Sequence, residues 1–154
     1  MVKEFSVRFA NTDDIQNVFD LSNDDLVRKN SINKNKIEWA DHVNWFNKRI
    51  KNTDEPFYIA ETSEGKFIAQ IRFDKEYDYF VISVSINKLF RGKGYGADLI
   101  KEATKKLNKY PVVAYVKPDN IPSQKAFVKA GYIYQESDII RNEPFERYIY
   151  KVNS

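Results

Sequence analysis

The segment Arg91-Gly92-Lys93-Gly94-Tyr95-Gly96 constrains this chain most, because the hydrophobic period changes across it. Residues 79–86 before it read as a strand, and after it Leu99, Ile100, Ala103 and Leu107 recur as the apolar stripe of a helix. A chain that turns through glycines from strand to helix presents first-turn N–H groups that lack intrahelical partners. Glycine removes the Cβ that would hold a phosphate away from the backbone, and the helix dipole adds partial positive charge at the same point. Lys88, Arg91 and Lys93 add formal charge there. Read alone, the segment is an anion-binding turn or simply a tight turn, since glycine is the default residue in both. The spacing excludes a Walker loop, which needs G-x-x-x-x-G-K-[ST]. It also departs from the Rossmann fingerprint, G-x-G-x-x-G near the first strand with an acid about twenty residues later.

At 154 residues the chain has the length of one domain, and we expect a single domain over 1–154. Its 42% hydrophobic and 15% aromatic content argues for a packed core and against disorder. There is no cysteine, so a disulfide framework, a thiolate zinc site and a catalytic cysteine are all excluded, and no metal site is expected. The first twenty residues carry Lys3, Glu4, Arg8, Asp13 and Asp14, and no later run approaches the length of a membrane span. A cytoplasmic protein is the expectation. The formal charge of +3 is spread among acids, which suits a polyanionic small ligand better than nucleic acid.

Phe5 to Phe9 alternates as a half-buried strand. Thr12 offers a helix cap, Ile15, Val18, Phe19 and Ser22 recur at helical spacing, and Asn23-Asp24-Asp25 ends that helix. A second helix is expected over Lys36 to Lys51, with Ile37, Ala40, Val43, Phe46 and Ile50 on its buried face. Strands follow at Phe57 to Thr62, Lys66 to Asp74 and Tyr79 to Ile86. After the glycine cluster and its helix come a strand at Val112 to Val116, a helix at Asn120 to Lys129 ending at Gly131, and a hairpin of Tyr132 to Ile140 with Phe145 to Val152. The order is β-α-α-β-β-β-α-β-α-β-β.

Arg91, Gly94 and Gly96 fit [QR]-x-x-G-x-[GA], the signature that follows the fourth strand in the GNAT superfamily of N-acetyltransferases. Asn120, Ser123, Ala126, Phe127, Gly131 and Tyr132 fit that family's later N-x-x-[AS]-x-x-[AL]-[YF]-x-x-x-G-[FY] pattern. The chain therefore resembles a GNAT domain along nearly its whole length. The resemblance implies an α/β fold with a central, mostly antiparallel twisted sheet of about seven strands, about four flanking helices, and strands four and five splayed apart. It implies acetyl-CoA as co-substrate and direct attack of a primary amine on the thioester. Val84, Ser85 and Ile86 would pair with the pantetheine arm. The amides of Gly92, Lys93, Gly94, Tyr95, Gly96 and Ala97, with Arg91, would hold the pyrophosphate, and Asn120, Ser123 and Phe127 would adjoin the cofactor. The Ile86 N–H would stabilise the developing oxyanion.

Two catalytic positions depart from the family pattern. Phe127 stands where many relatives carry the tyrosine that protonates the leaving thiolate, and Val81 and Tyr115 stand where a glutamate base is common. Either a base comes from Ser83, Ser85, Tyr115 or His42 through water, or the acceptor amine is already partly neutral at pH 7, as an amino sugar's is relative to lysine. On the acceptor side, Leu21-Ser22-Asn23-Asp24, Val27-Arg28, Ser31 and Trp39-x-x-His42-x-x-Trp45-Phe46 resemble the branch that acetylates nucleotide-linked amino sugars. Asn23, Arg28, His42 and Trp45 are its candidate substrate residues. His42 reads also as a core histidine, Trp45 as core, and Arg28 as a solvated charge. Peptide or ribosomal-protein amino termini are the second acceptor class, and a non-catalytic acyl-CoA-binding module is the third reading. The sequence leaves a homodimer open.

Overall fold

A computed structural model describes residues 4–152. Seven strands form one sheet in the order β1-β2-β3-β4-β5-β7-β6. They are β1 Ser6–Phe9, β2 Phe57–Glu61, β3 Phe67–Lys75, β4 Phe80–Ile86, β5 Val112–Val116, β6 Ile133–Ile140 and β7 Glu143–Tyr150. The helices are α1 Ile15–Ser22, α2 Asp25–Asn30, α3 Trp39–Arg49, α4 Tyr95–Leu107 and α5 Ile121–Lys129. All strand pairs are antiparallel except β4 with β5.

The strands bury alternate residues on opposite faces, as the pleat requires. Tyr58 and Ala60 of β2 join a core with Leu99, Ile100, Ala103 and Leu107 of α4 and Phe127 and Ala130 of α5. Phe57 and Ile59 join Val18 of α1 and Phe46 of α3 on the other face. Burying each Leu or Ile there stabilises the fold by about 1.5 to 3 kcal/mol. The expected stripe of α4 is buried at all four positions. Gly96 lets α4 approach α5 closely, since a Cβ there would lie 3.2 Å from the Cβ of Ala126.

Three local expectations change. Asn11, not Thr12, caps the first helical turn: its side chain accepts from the Asp13 N–H at 2.9 Å, and its own N–H donates to Asp14 Oδ2 at 2.8 Å. Asp14 in turn holds the Arg8 guanidinium at 2.8 Å, tying that cap to β1. The helix expected from Lys36 starts only at Trp39, because the Asn23 carboxamide takes both backbone groups of Ile37, at 2.7 and 2.9 Å. Its buried face carries His42 and Phe46, with Ala40 exposed. The Asn-Asp-Asp run that ends α1 also begins α2, a short helix the periodicity did not reveal. Asp24 caps it, accepting from the Leu26 and Val27 N–H groups at 3.0 and 3.2 Å.

Candidate active site

Strands β4 and β5 pair only at Phe80 with Val112 and Val81 with Val113. Beyond that point β4 stays on β3 up to the Ile86–Ala69 pair, while β5 stays on β7 up to the Val116–Glu146 pair. The sheet therefore opens as a wedge. The Phe80 N–H donates to Pro111 O on the β5 side at 3.0 Å, whereas the Asn87 N–H donates to Ile68 O on the β3 side at 2.7 Å. Alternation along a strand then points the N–H and C=O groups of Val84 and Ile86 into the wedge. The exposed ladder edge suits an extended amide-bearing chain laid beside β4 as an added strand.

At the open end lies the glycine loop. Gly92 and Gly94 have φ of 70° and 82°, a region that L side chains rarely adopt. Among the described residues, nothing lies within 4 Å of where a Gly92 Cβ would stand. No side chain caps α4, and Lys93 is exposed beside its N-terminus. Tyr95 packs against Phe5 and Phe90, and Ala97 is buried. The loop thus aims the first-turn amides of α4 at solvent where a diphosphate fits.

Arg91 points elsewhere. Its Nε donates to Ile86 O and its Nη2 to Asp24 Oδ2, both at 2.9 Å, joining the glycine loop, the end of β4 and the cap of α2. Burial pushes the Asp24 carboxyl up, but the Arg91 guanidinium and the two amides of α2 outweigh it and hold it below the usual range. On the far side of the wedge, Asn120 caps α5 by accepting from the Ser123 N–H at 3.4 Å. Phe127 is buried in the core, edge-on to Tyr132 at 5.1 Å between ring centres.

The two faces of the wedge differ. Val84 and Ile86 turn toward the α4 core, while Ser83 and Ser85 lie on the face carrying Gln70 and Arg72, where Gln70 Nε2 donates to Ser22 Oγ of α1 at 3.0 Å. Tyr115 lies on this second face of β5, and its hydroxyl accepts from Arg147 Nε at 3.3 Å. This face is roofed by α2 and the segment 31–38. Arg28 donates to the carbonyls of Ser22, Asn33 and Asn35, and Lys36 to that of Asn23, so Asn23 and Arg28 both hold the roof in place. Lys34 bonds Glu143, and Lys117 donates to Lys29 O at 2.7 Å, fastening the roof across the wedge to β5 and the β6–β7 hairpin.

His42 is 1% exposed and its Nε2 bonds the Ile15 carbonyl at 2.9 Å. Its ring lies among Phe19, Trp39, Trp45 and Phe46, with centroids 5.1 to 5.8 Å away. Burial lowers its pKa. It sits in the core between α1 and α3. Trp45 is half-buried, stacked against Phe57 and under the Arg72 guanidinium, 5.0 Å from its ring centre. Among the described residues, no cluster of three or more His, Asp or Glu side chains is arranged to hold a metal, and no helix is long and apolar enough to cross a membrane.

Sequence reasoning named Asp24 only within the run that ends α1 and the acceptor-side motif, and did not name Arg72 or Arg147. An acid opening D-D-L-V-R was a cap signal for Asp24. An arginine inside the apolar run Phe67–Phe73 was the signal for Arg72. Arg147 had no local signal.

A mixed sheet parted at one parallel pair, with a glycine loop and uncapped helix at the mouth, defines an acyl-CoA-dependent transferase of the GNAT type. The chain belongs to the acetyltransferase (GNAT) family, whose model matches residues 15–132. It is 27% identical over 137 residues to the protein named "Putative phosphinothricin acetyltransferase YwnH" of Bacillus subtilis (strain 168), covering 82% of this chain and 83% of that one. Its fold is similar to that of spermidine N-acetyltransferase from Vibrio cholerae in complex with CoA and spermine, with a TM-score of 0.85 at 15% identity over 96% and 95% of the two chains. It is also similar to aminoglycoside acetyltransferase AAC(6')-Ib in complex with coenzyme A, with a TM-score of 0.79 at 15% identity over 96% and 94%. The chain is an acetyl-CoA-dependent N-acetyltransferase.

Proposed function

We propose that the acceptor is a small molecule whose amine is partly neutral at pH 7, a nucleotide-linked amino sugar being the first choice. One observation carries this reading. On the acceptor face, the wedge strands supply Val81, Ser83, Ser85, Val113 and Tyr115, none of them a carboxylate. A lysine-like amine with a pKa near 10.4 would need a strong base to reach its nucleophilic form, whereas the amine of an amino sugar needs far less help.

Bound acetyl-CoA supplies the activated acetyl thioester. The amides of Gly92 to Ala97 hold its pyrophosphate, the Val84 backbone groups pair with its arm, and Asn120 with Ser123 and Phe127 forms the opposite wall. Arg91 keeps the Ile86 carbonyl occupied, which fixes the neighbouring peptide planes. The Ile86 N–H stabilises the developing oxyanion, a contribution of about 3 kcal/mol for a well-placed donor. Ser85 and Tyr115 are the hydroxyls positioned to pass the amine proton to water. His42 acts indirectly, by holding α3 and Trp45 against α1.

The test is thiol release from acetyl-CoA across amines: a 4-amino sugar on a nucleoside diphosphate, free amino sugars, spermidine, phosphinothricin and peptide amino termini. Turnover led by the amino sugars is expected. A polyamine or peptide as the best acceptor would overturn the reading, and tight CoA binding with no turnover would make the chain a binding module.

A further inference from the structure

The face under the α2 roof holds a row of side chains straight across the wedge. Arg72 of β3 pairs with Ser83 of β4, and Tyr115 of β5 pairs with Arg147 of β7. Ser83 and Tyr115 each lie two residues beyond the last parallel pair, Val81 with Val113. The four therefore share one register line and one face, with Cα atoms of the two arginines roughly 14 Å apart at ~4.8 Å per strand before the splay widens them.

Neither arginine has a carboxylate partner among the described residues. Arg8, Arg49 and Arg91 are each ion-paired, and Arg28 is saturated by carbonyls. The Arg72 guanidinium has no hydrogen bond or ion pair among those residues and packs on Trp45. Burial lowers its pKa to about 10, with Asp74 opposing and Arg49 and Arg28 adding to the shift, so it remains a cation at pH 7. Arg147 bonds the Tyr115 hydroxyl and Gln135, and lies over the rings of Tyr79 and Tyr115 at 5.6 and 5.8 Å, contacts through neutral groups that favour its cation. Arg72 is the more buried of the two cations and has only Asp74, already ion-paired to Arg49, as a nearby counter-charge, so an anion carried by the ligand would offset its desolvation. One row nearer Ile86, Gln70 is 2% exposed, and its Oε1 accepts no hydrogen bond among the described residues although its Nε2 is held by Ser22. This face thus carries an acceptor without a described partner near Ile86 and, about 7 Å further along the strands at ~3.4 Å per residue, two cations that no described carboxylate ion-pairs.

We infer that Arg72 and Arg147 recognise an anionic group on the acceptor, a phosphate, phosphinate or carboxylate carried some 7 Å from the amine. This deepens the proposed function without depending on the sugar. It also gives a reason for the cleft to reject polyamines, whose second cation would meet like charge.

The test compares wild type with Arg72→Gln, Arg72→Lys and Arg147→Gln on three acceptors: a 4-amino sugar on a nucleoside diphosphate, its uncharged methyl glycoside, and phosphinothricin. Wild type should prefer a charged acceptor over the uncharged one. Arg72→Gln or Arg147→Gln should lower kcat/KM for the charged acceptor about tenfold or more, mostly through KM, with turnover of the uncharged one and CoA affinity held. Arg72→Lys should recover part of the loss. A charged-to-uncharged ratio that is the same in wild type and both glutamine variants would overturn the inference, and so would spermidine as best acceptor. CoA affinity and melting temperature of each variant separate a folding defect from lost recognition. Turnover of phosphinothricin but of neither sugar would remove the amino-sugar reading and leave the anion site standing.

Discussion

His42 is buried neutral: Nε2 bonds the Ile15 carbonyl and Nδ1 has no partner among the described residues. Protonation would bury a charge and orphan an N–H, so burial lowers its pKa below the usual 6.5. The unfolded chain binds the proton more readily. His42 therefore favours folding fully above about pH 6.5 and loses that contribution as pH falls toward its depressed folded value, by at most about 1.4 kcal/mol per pH unit. Melting temperature should drop between pH 7 and 5.5 more in wild type than in His42→Gln; parallel curves would rule out this origin. Gly94 is the second informative residue, with φ 82° and ψ 15° at the N-cap of α4. Valine there strains the backbone by about 1 to 2 kcal/mol and re-aims the first-turn amides. Gly94→Val should keep a native circular dichroism spectrum yet bind CoA at least about tenfold more weakly by calorimetry.

Among elements, β4 is the one whose two edges differ. One edge is fully laddered to β3, and the other is paired to β5 only over its first two residues. Amides of Val84 and Ile86 face the wedge, so they should exchange hydrogen quickly in the free protein and become protected when acetyl-CoA is added. Val81, Ser83 and Ser85, bonded to β3, should change little. Unchanged exchange at the even-numbered positions would mean that the cofactor arm does not pair with this strand. The short helix α2 is the other decisive element. At six residues it is too short to be stable alone. It persists because Asp24 caps it, Arg91 pins Asp24, and Lys117 reaches its Lys29 carbonyl.

At the scale of the molecule, the succession of strands and helices along the chain, the α4 stripe and the glycine loop were legible because each rests on local period and backbone freedom. Those signals need only neighbours in sequence. The side chains around the site were less legible. Asn23 and Arg28 look like ligand residues in a linear reading, yet their polar groups hold the roof's backbone. Arg72 looks like one charge in a strand, and only the pairing of four strands sets it in line with Arg147.

The glycine segment 91–96 and the apolar periods around it determined by themselves that a strand must enter a helix through a tight glycine turn, because φ above zero and a missing Cβ are properties of the residue. Tertiary structure alone decided that the splay of β4 and β5 begins after two pairs, that Arg91 turns to Asp24 and Ile86, and that Arg72 and Arg147 fall on one register line of one sheet face. Those outcomes depend on which distant groups are brought within bonding distance, and distance across a sheet is not written in spacing along the chain.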